Sequence, residues 1–163
     1  MKIRDICQPG GYFVLNPGGP YEEVLKNTWV KDGADLALQS IFQAQAVFAA
    51  AFHLGLTGAS YTYESATLAS INASEPAGNG YARQSLTRNT TDWSVSLVNG
   101  VMRAASKIVT FTASANWDKT WSRMFICDQT ASKVISLSGA TPTPRTVLAG
   151  QGPPIQYFYY LSG

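Results

Sequence analysis

Hydrophobic and polar side chains alternate most clearly from residue 93 onward, where Trp93, Val95 and Leu97 are set against Ser94 and Ser96. A period of two marks a strand with one buried face. Asn99-Gly100 follows, the dipeptide that supplies both positive-φ positions of a two-residue hairpin turn. Such a turn pairs Val98 with Val101, which puts Leu97 opposite Met102, Val95 opposite Ala104 and Trp93 opposite Ser106. Ser96 then faces Arg103 on the other side. Apolar runs at 108–113, 121–127, 134–137, 145–148 and 155–161 continue the series, separated by short turn-forming stretches. About eight short strands without alternating helices predict a mainly β chain, a jelly-roll-like antiparallel β-sandwich.

The first half reads differently. Residues 1–30 carry the turn clusters Gln8-Pro9-Gly10-Gly11 and Asn16-Pro17-Gly18-Gly19-Pro20 around the apolar run Tyr12-Phe13-Val14-Leu15. They are expected to form an extended arm that lies on a neighbouring subunit or frays, and residues 31–163 to form the single sandwich domain. Asp32 is the expected N-cap of one short helix, with Ala34, Leu38, Ile41 and Phe42 as the apolar stripe that packs on the sheet. Residues 46–56 are almost wholly apolar and predict a strand covered on both faces, with His53 inside it. Residues 61–71 are expected to be a loop with a short strand near Leu68 and Ile71, and residues 75–83 a loop that feeds a strand over 81–87.

The last strand is apolar on both sides. Ile155, Tyr157, Tyr159 and Leu161 fall on one face, Phe158 and Tyr160 on the other. Each aromatic can bury roughly 150–250 Å², so a second face left in water forgoes a large gain. Phe158 and Tyr160 are therefore candidates for a subunit interface, the alternative being a coat from another part of the same chain.

Charged residues make up 13% of the chain and aromatics 12%, against roughly 25% charged in an ordinary soluble domain. A surface so poor in charge points to coverage by other protein. The 12 Lys and Arg residues are scattered, with no run that could follow a phosphate backbone, so no nucleic-acid partner is expected. Residues 36–63 contain no charged side chain, but Gln39, Gln43, Gln45 and His53 interrupt them, and no membrane span is expected. The amino terminus lacks the apolar core of a secretory signal. Cys7 and Cys127 read as free thiols, with a single disulfide as the other reading.

Candidate chemistry is sparse. His53, the one histidine, stands between Phe52 and Leu54 with no Gly-x-Ser-x-Gly elbow, and reads as a core histidine rather than a catalytic base. Glu64 and Glu75 could serve as a glycosidase pair, but a Glu75–Arg83 ion pair within one loop is the better reading of so few acids. Gly78-Asn79-Gly80 lacks the Lys and hydroxyl residue of a phosphate loop. No metal-ligand cluster occurs, so no cofactor, metal or small-molecule substrate is expected.

Glu75-Pro76-x-Gly78-x-Gly80-Tyr81-Ala82-Arg83 resembles the most specific stretch of a family of small tailed-bacteriophage virion proteins. Trp93, Ile108-Val109-Thr110-Phe111, Trp117, Phe125-Ile126-Cys127-Asp128 and Pro144-x-x-Val147-x-Ala149-Gly150 extend the resemblance across residues 30–161. Members are described as head decoration or cement proteins and as tail-fibre proteins. The resemblance implies a jelly-roll-like fold, no enzymatic activity, and a place on the phage head surface. Its implied partners are the major capsid protein and further copies of the chain, often as trimers. In that picture Glu75, Pro76, Gly78, Gly80 and Arg83 form a structural loop. The longer Pro/Gly-rich first 30 residues depart from the pattern. The alternative is a fibre or receptor-binding module that engages a host-surface glycan, with Tyr61 and Tyr63 as its nominated contacts.

Overall fold

The computed structural model describes residues 8–43, 48–58, 60–62, 64–130 and 132–162. Ten strands form one antiparallel sheet that bends back on itself: β1 (Gln8–Leu15), β2 (Glu23–Trp29), β3 (Ala51–Thr57), β4 (Gln84–Thr87), β5 (Trp93–Val98), β6 (Val101–Ser106), β7 (Val109–Thr110), β8 (Arg123–Asp128), β9 (Lys133–Ser138) and β10 (Pro154–Ser162). Two short helices, α1 (Lys31–Leu38) and α2 (Leu68–Ser74), join them. The spatial order is β4-β3-β8-β9-β2-β1-β10-β6-β5, with β7 paired to β10. The fold is mainly β and sandwich-like, as the alternation predicts, with two more strands and one more helix than expected. Neither helix is long and apolar enough to cross a membrane.

Strands β2, β1, β10, β6 and β5 make the first face of the sandwich, and β4, β3, β8 and β9 the second, continuous through the β2–β9 pairing. Between them lie Phe13, Leu15 and Ile155 from one side and Leu54, Leu56, Met124 and Ile126 from the other. A second cluster sits outside β8 and β9, where Phe125, Cys127, Val134 and Leu137 are covered by Leu68 and Ile71 of α2 and by Val30. This is why residues 124–128 and 134–138 are buried on both faces. Helix α1 lies against β9 and α2 against β3, so both helices serve the second sheet.

The 93–106 hairpin has the register set by its turn: Val98↔Val101, Leu97↔Met102, Val95↔Ala104, Ser96↔Arg103 and Trp93↔Ser106. Asn99 and Gly100 are both left-handed, at φ 50° and 79°. Burial does not follow the alternation, since Val95 and Leu97 are 67% and 66% exposed on an end strand with no second sheet above its tip.

The expected amino-terminal arm is corrected over its described part. Residues 8–15 and 23–29 are β1 and β2, at the centre of the sheet. Gly10 and Gly11 lie within β1 rather than in a turn, and a Cβ on Gly10 would stand 2.7 Å from the Tyr160 ring. The glycine lets that ring lie across the backbone. Residues 1–7 lie outside the described residues.

Three further expectations change. Helix α1 has Val30 as its N-cap, without a side-chain cap, and Asp32 pairs with Lys133 at 3.4 Å instead. A Cβ on Gly33 would meet the Ile135 carbonyl at 2.3 Å; this approach fixes the inward face at Gly33 and Leu36. Leu38 therefore points away, and the chain passes into a π-helical turn, Gln39–Gln43, on which Ile41 and Phe42 are exposed. The expected strand near Leu68 and Ile71 is α2, started by a Thr67–Ser70 capping box. Residues 145–148 contribute only an isolated bridge, Trp121↔Arg145.

Because β1 and β2 are central strands, removing residues 1–30 should abolish the cooperative unfolding transition. Thermal unfolding followed by near-ultraviolet circular dichroism checks this; a truncated chain with a sharp transition would contradict the topology.

Candidate functional site

Two constellations merit attention: the loop at residues 75–83 and the outer face of the first sheet. In the loop, Gly78, Asn79 and Gly80 are left-handed in succession, at φ 68°, 51° and 80°. Gly80 has a second reason to be glycine, since a Cβ there would meet the Thr112 carbonyl at 2.7 Å. The loop is pinned to the segment beside it by Ser114 N donating to Asn79 O at 2.9 Å and Ala77 N donating to Asp118 Oδ1 at 2.9 Å. Lys119 Nζ donates to the carbonyls of Ala73 and Glu75 at 3.1 Å each. Pro76 is buried where the loop leaves α2.

Glu75 is the hub. Its Oε1 accepts from Arg83 Nε at 2.9 Å and its Oε2 from Arg83 Nη2 at 2.6 Å, a two-point pair with side chains only 9% and 13% exposed. Tyr81 Oη also donates to Glu75 Oε1, and Arg83 Nη2 to Asn72 Oδ1 on α2. The Tyr81 hydroxyl accepts from Leu56 N at 2.9 Å, while its ring stacks on Phe111 at 5.6 Å and meets Trp117 edge-on at 5.0 Å. Arg83 lies 5.3 Å from the Phe125 ring centre. One carboxylate thus ties the interior cluster to the outer one. Gly55 makes room for it: a Cβ would stand 2.3 Å from Phe125 and 3.0 Å from Glu75 Oε1.

The electrostatics lock these groups in place. Burial and the adjacent Glu75 carboxylate push the Tyr81 hydroxyl far above the ordinary tyrosine range. Burial works against the Arg83 charge, but its hydrogen bonds to Glu75 and the coulombic contributions of its neighbours together outweigh that and raise its affinity for the proton. Cys127, opposite His53 in the β3–β8 ladder, has its thiol pushed up to about 12 by burial, so it stays protonated. His53 is half-buried, and burial followed by the Arg83 charge holds its pKa below the usual value. The arrangement places no ionised nucleophile beside a base, and among the described residues no three His, Cys, Asp or Glu side chains gather as metal ligands. Cys7 and Tyr63 lie outside the described residues. Tyr61 is half-buried against the outer cluster, its hydroxyl donated to Ser70 O at 2.9 Å.

The outer face of the first sheet carries Phe158 and Tyr160 of β10, both half-buried. Tyr12 of β1 stacks on Phe158 with ring centres 4.6 Å apart, and Arg103 of β6 lies 4.8 Å over the same ring. Arg103 Nη1 donates to Tyr12 Oη at 3.0 Å. Part of the second face of β10 is therefore coated by its own chain, and the rest is left open by the described residues. A hollow of about 250 Å³ borders the ridge toward Val98, Asn99 and Val101, and another of about 410 Å³ toward Pro17, Glu22 and Val24. Val24 is 55% exposed and Tyr21 82%. A Tyr-Phe-Tyr-Arg ridge flanked by hollows has the make-up of an interface anchor.

Sequence reasoning reached Phe158 and Tyr160 but missed Tyr12 and Arg103. Tyr12 carried a usable signal: in 12–15, Tyr12 and Val14 oppose Phe13 and Leu15, the same two-sided apolar character as β10. Arg103 could have been found from the hairpin register, which puts it on the Ser96 face.

No protein-family model, curated protein or solved structure matches this chain.

Glu75→Gln should destabilise the protein by about 3–5 kcal/mol, because it leaves the Arg83 guanidinium unpaired in a mostly buried site. The double variant Glu75→Gln/Arg83→Met should lose less than the sum of the two single changes. Urea unfolding of the four proteins checks this, and strict additivity would contradict a coupled pair.

Proposed function

We propose that this chain is a non-enzymatic structural protein of a tailed-phage virion, a decoration protein that sits on the outside of the head. The observation that supports this best is the half-buried ridge of Tyr12, Phe158, Tyr160 and Arg103, which no helix among the described residues covers. Both helices are spent on the second sheet, and the first sheet keeps an aromatic face that a partner protein can cover. A chain with 13% charged residues has little else to keep such a face in solution. The resemblance centred on Glu75, Gly78, Gly80 and Arg83 agrees with this reading, and their geometry suits a scaffold role: Glu75 and Arg83 bind each other, and the two left-handed glycines turn the loop between them.

In this reading the ridge contacts the major capsid protein or a neighbouring copy, and self-association gives trimers on the capsid lattice. A standard interface buries about 800 Å² per partner, centred on a few aromatic and arginine anchors. A protein that binds the assembled shell and not its free subunits stabilises the shell by mass action. The glycan-binding alternative draws less support, because the Tyr61 hydroxyl is already engaged by Ser70.

Purified protein should bind empty heads of the phage that encodes it. Phe158→Ala and Arg103→Ala should each weaken that binding by about 2 kcal/mol or more, roughly 30-fold. Cosedimentation with the heads measures it, and analytical ultracentrifugation reports the oligomer. A monodisperse monomer that leaves the heads bare would contradict the proposal.

A further inference from the structure

The sheet does not close. Its end strands β4 and β5 follow each other in sequence, yet they pair only with β3 and β6. Where they part, the interior opens into a cavity of about 520 Å³. Trp29, Phe52, Trp93 and Tyr159 form its walls, with Ile126 and Ile135 behind them. Edge-to-face aromatic contacts run along it, Phe48 on Phe52 at 5.4 Å, Phe52 on Trp93 at 6.2 Å and Trp93 on Tyr157 at 6.1 Å. Sites for small ligands are apolar clefts of about 300–1,000 Å³ with a few polar groups, and this cavity falls in that range.

Two polar features distinguish it from a plain packing defect. Arg88 stands among the lining residues with Asn89 and Thr90, its guanidinium 5.5 Å from Phe48 and 5.6 Å from Phe52. It donates Nη1 to the Phe48 carbonyl at 2.8 Å, and no carboxylate pairs with it among the described residues. The Trp93 indole N–H is buried and finds no acceptor among those residues, a cost that a ligand oxygen would remove. An apolar volume with an exposed, unpaired cation at its rim matches an amphiphile with an anionic head.

We propose that this cavity binds a single-chain anionic amphiphile, a fatty carboxylate, with its alkyl chain among the aromatic walls and its head against Arg88. The inference is independent of the virion reading. A partner's apolar side chain or a segment of this chain outside the described residues would compete for the same space.

Dodecanoate and neutral dodecan-1-ol, both below their aggregation limits, are titrated into the full chain by calorimetry, with Trp fluorescence as a second readout. Saturable one-to-one binding of dodecanoate is expected. Ala104→Trp, which fills the cavity from β6, should abolish it, and Val95→Trp, at a 67% exposed position where folding is not at risk, should weaken it. Arg88→Gln should cost dodecanoate about tenfold through the lost charge-assisted contact and leave dodecanol unchanged. No saturable binding, which is also the result if protein already fills the cavity, would overturn the proposal. So would binding indifferent to both tryptophan substitutions, or an Arg88→Gln effect equal for acid and alcohol.

Discussion

The pairing of β1 with β10 is the constraint on which the remaining structure rests. Eight residue pairs, from Gln8↔Ser162 to Leu15↔Ile155, tie the two ends of the chain together in the middle of the sheet. Strand β1 carries β2, which joins β9 and the second sheet; β10 carries β6, β7 and, through β6, β5. Without this ladder the first face would split in its middle, with β2 and the second sheet on one side and β10, β6 and β5 on the other. Phe13 and Tyr157, cross-strand partners with ring centres 4.7 Å apart, face the interior from it. Tyr12 and Phe158, the next pair, face outward. The same period-two geometry that builds the core therefore builds the ridge. A contact this distant in sequence is slow to form and must come late or nucleate at high entropic cost.

The two faces of the sandwich are finished differently. Outside the second sheet, α2 and the loop at 75–83 supply a cover, and Glu75 fastens it by accepting from Tyr81 on the interior side and Arg83 on the exterior side. A carboxylate that cannot reach water is tolerated there because charged and neutral donors occupy both its oxygens. Outside the first sheet the described residues supply no comparable cover, only the mutual packing of Tyr12, Phe158 and Arg103. This asymmetry turns a β-sandwich into a candidate assembly module.

What could be read from sequence follows from how local each signal is. The 93–106 hairpin was legible to the residue because Asn99-Gly100 sets both turn type and register. The Glu75–Arg83 pair was legible because loop and strand adjoin within eight residues. Strand β1 was hidden by Pro9, Gly10 and Gly11, whose usual meaning is a turn, and β2 by the Asn16–Pro20 cluster before it; in the fold Gly10 gives space to the Tyr160 ring of β10. Helix α2 was hidden because its cap uses Ser70 where Glu or Gln is the familiar sign. The outward turn of Leu38 follows from the approach of Gly33 to Ile135, and the seam cavity from a sheet that stops short of closing. Neither leaves a trace in local pattern.

We propose the ridge on β1, β6 and β10 as an assembly surface on a phage head. Electron cryomicroscopy of the intact particle tests it most directly. Density for this sandwich is expected on the outer surface of the head, with Tyr12, Phe158 and Tyr160 buried against capsid protein or a neighbouring copy. Particles whose heads lack that density, or in which this ridge faces solvent, would contradict it.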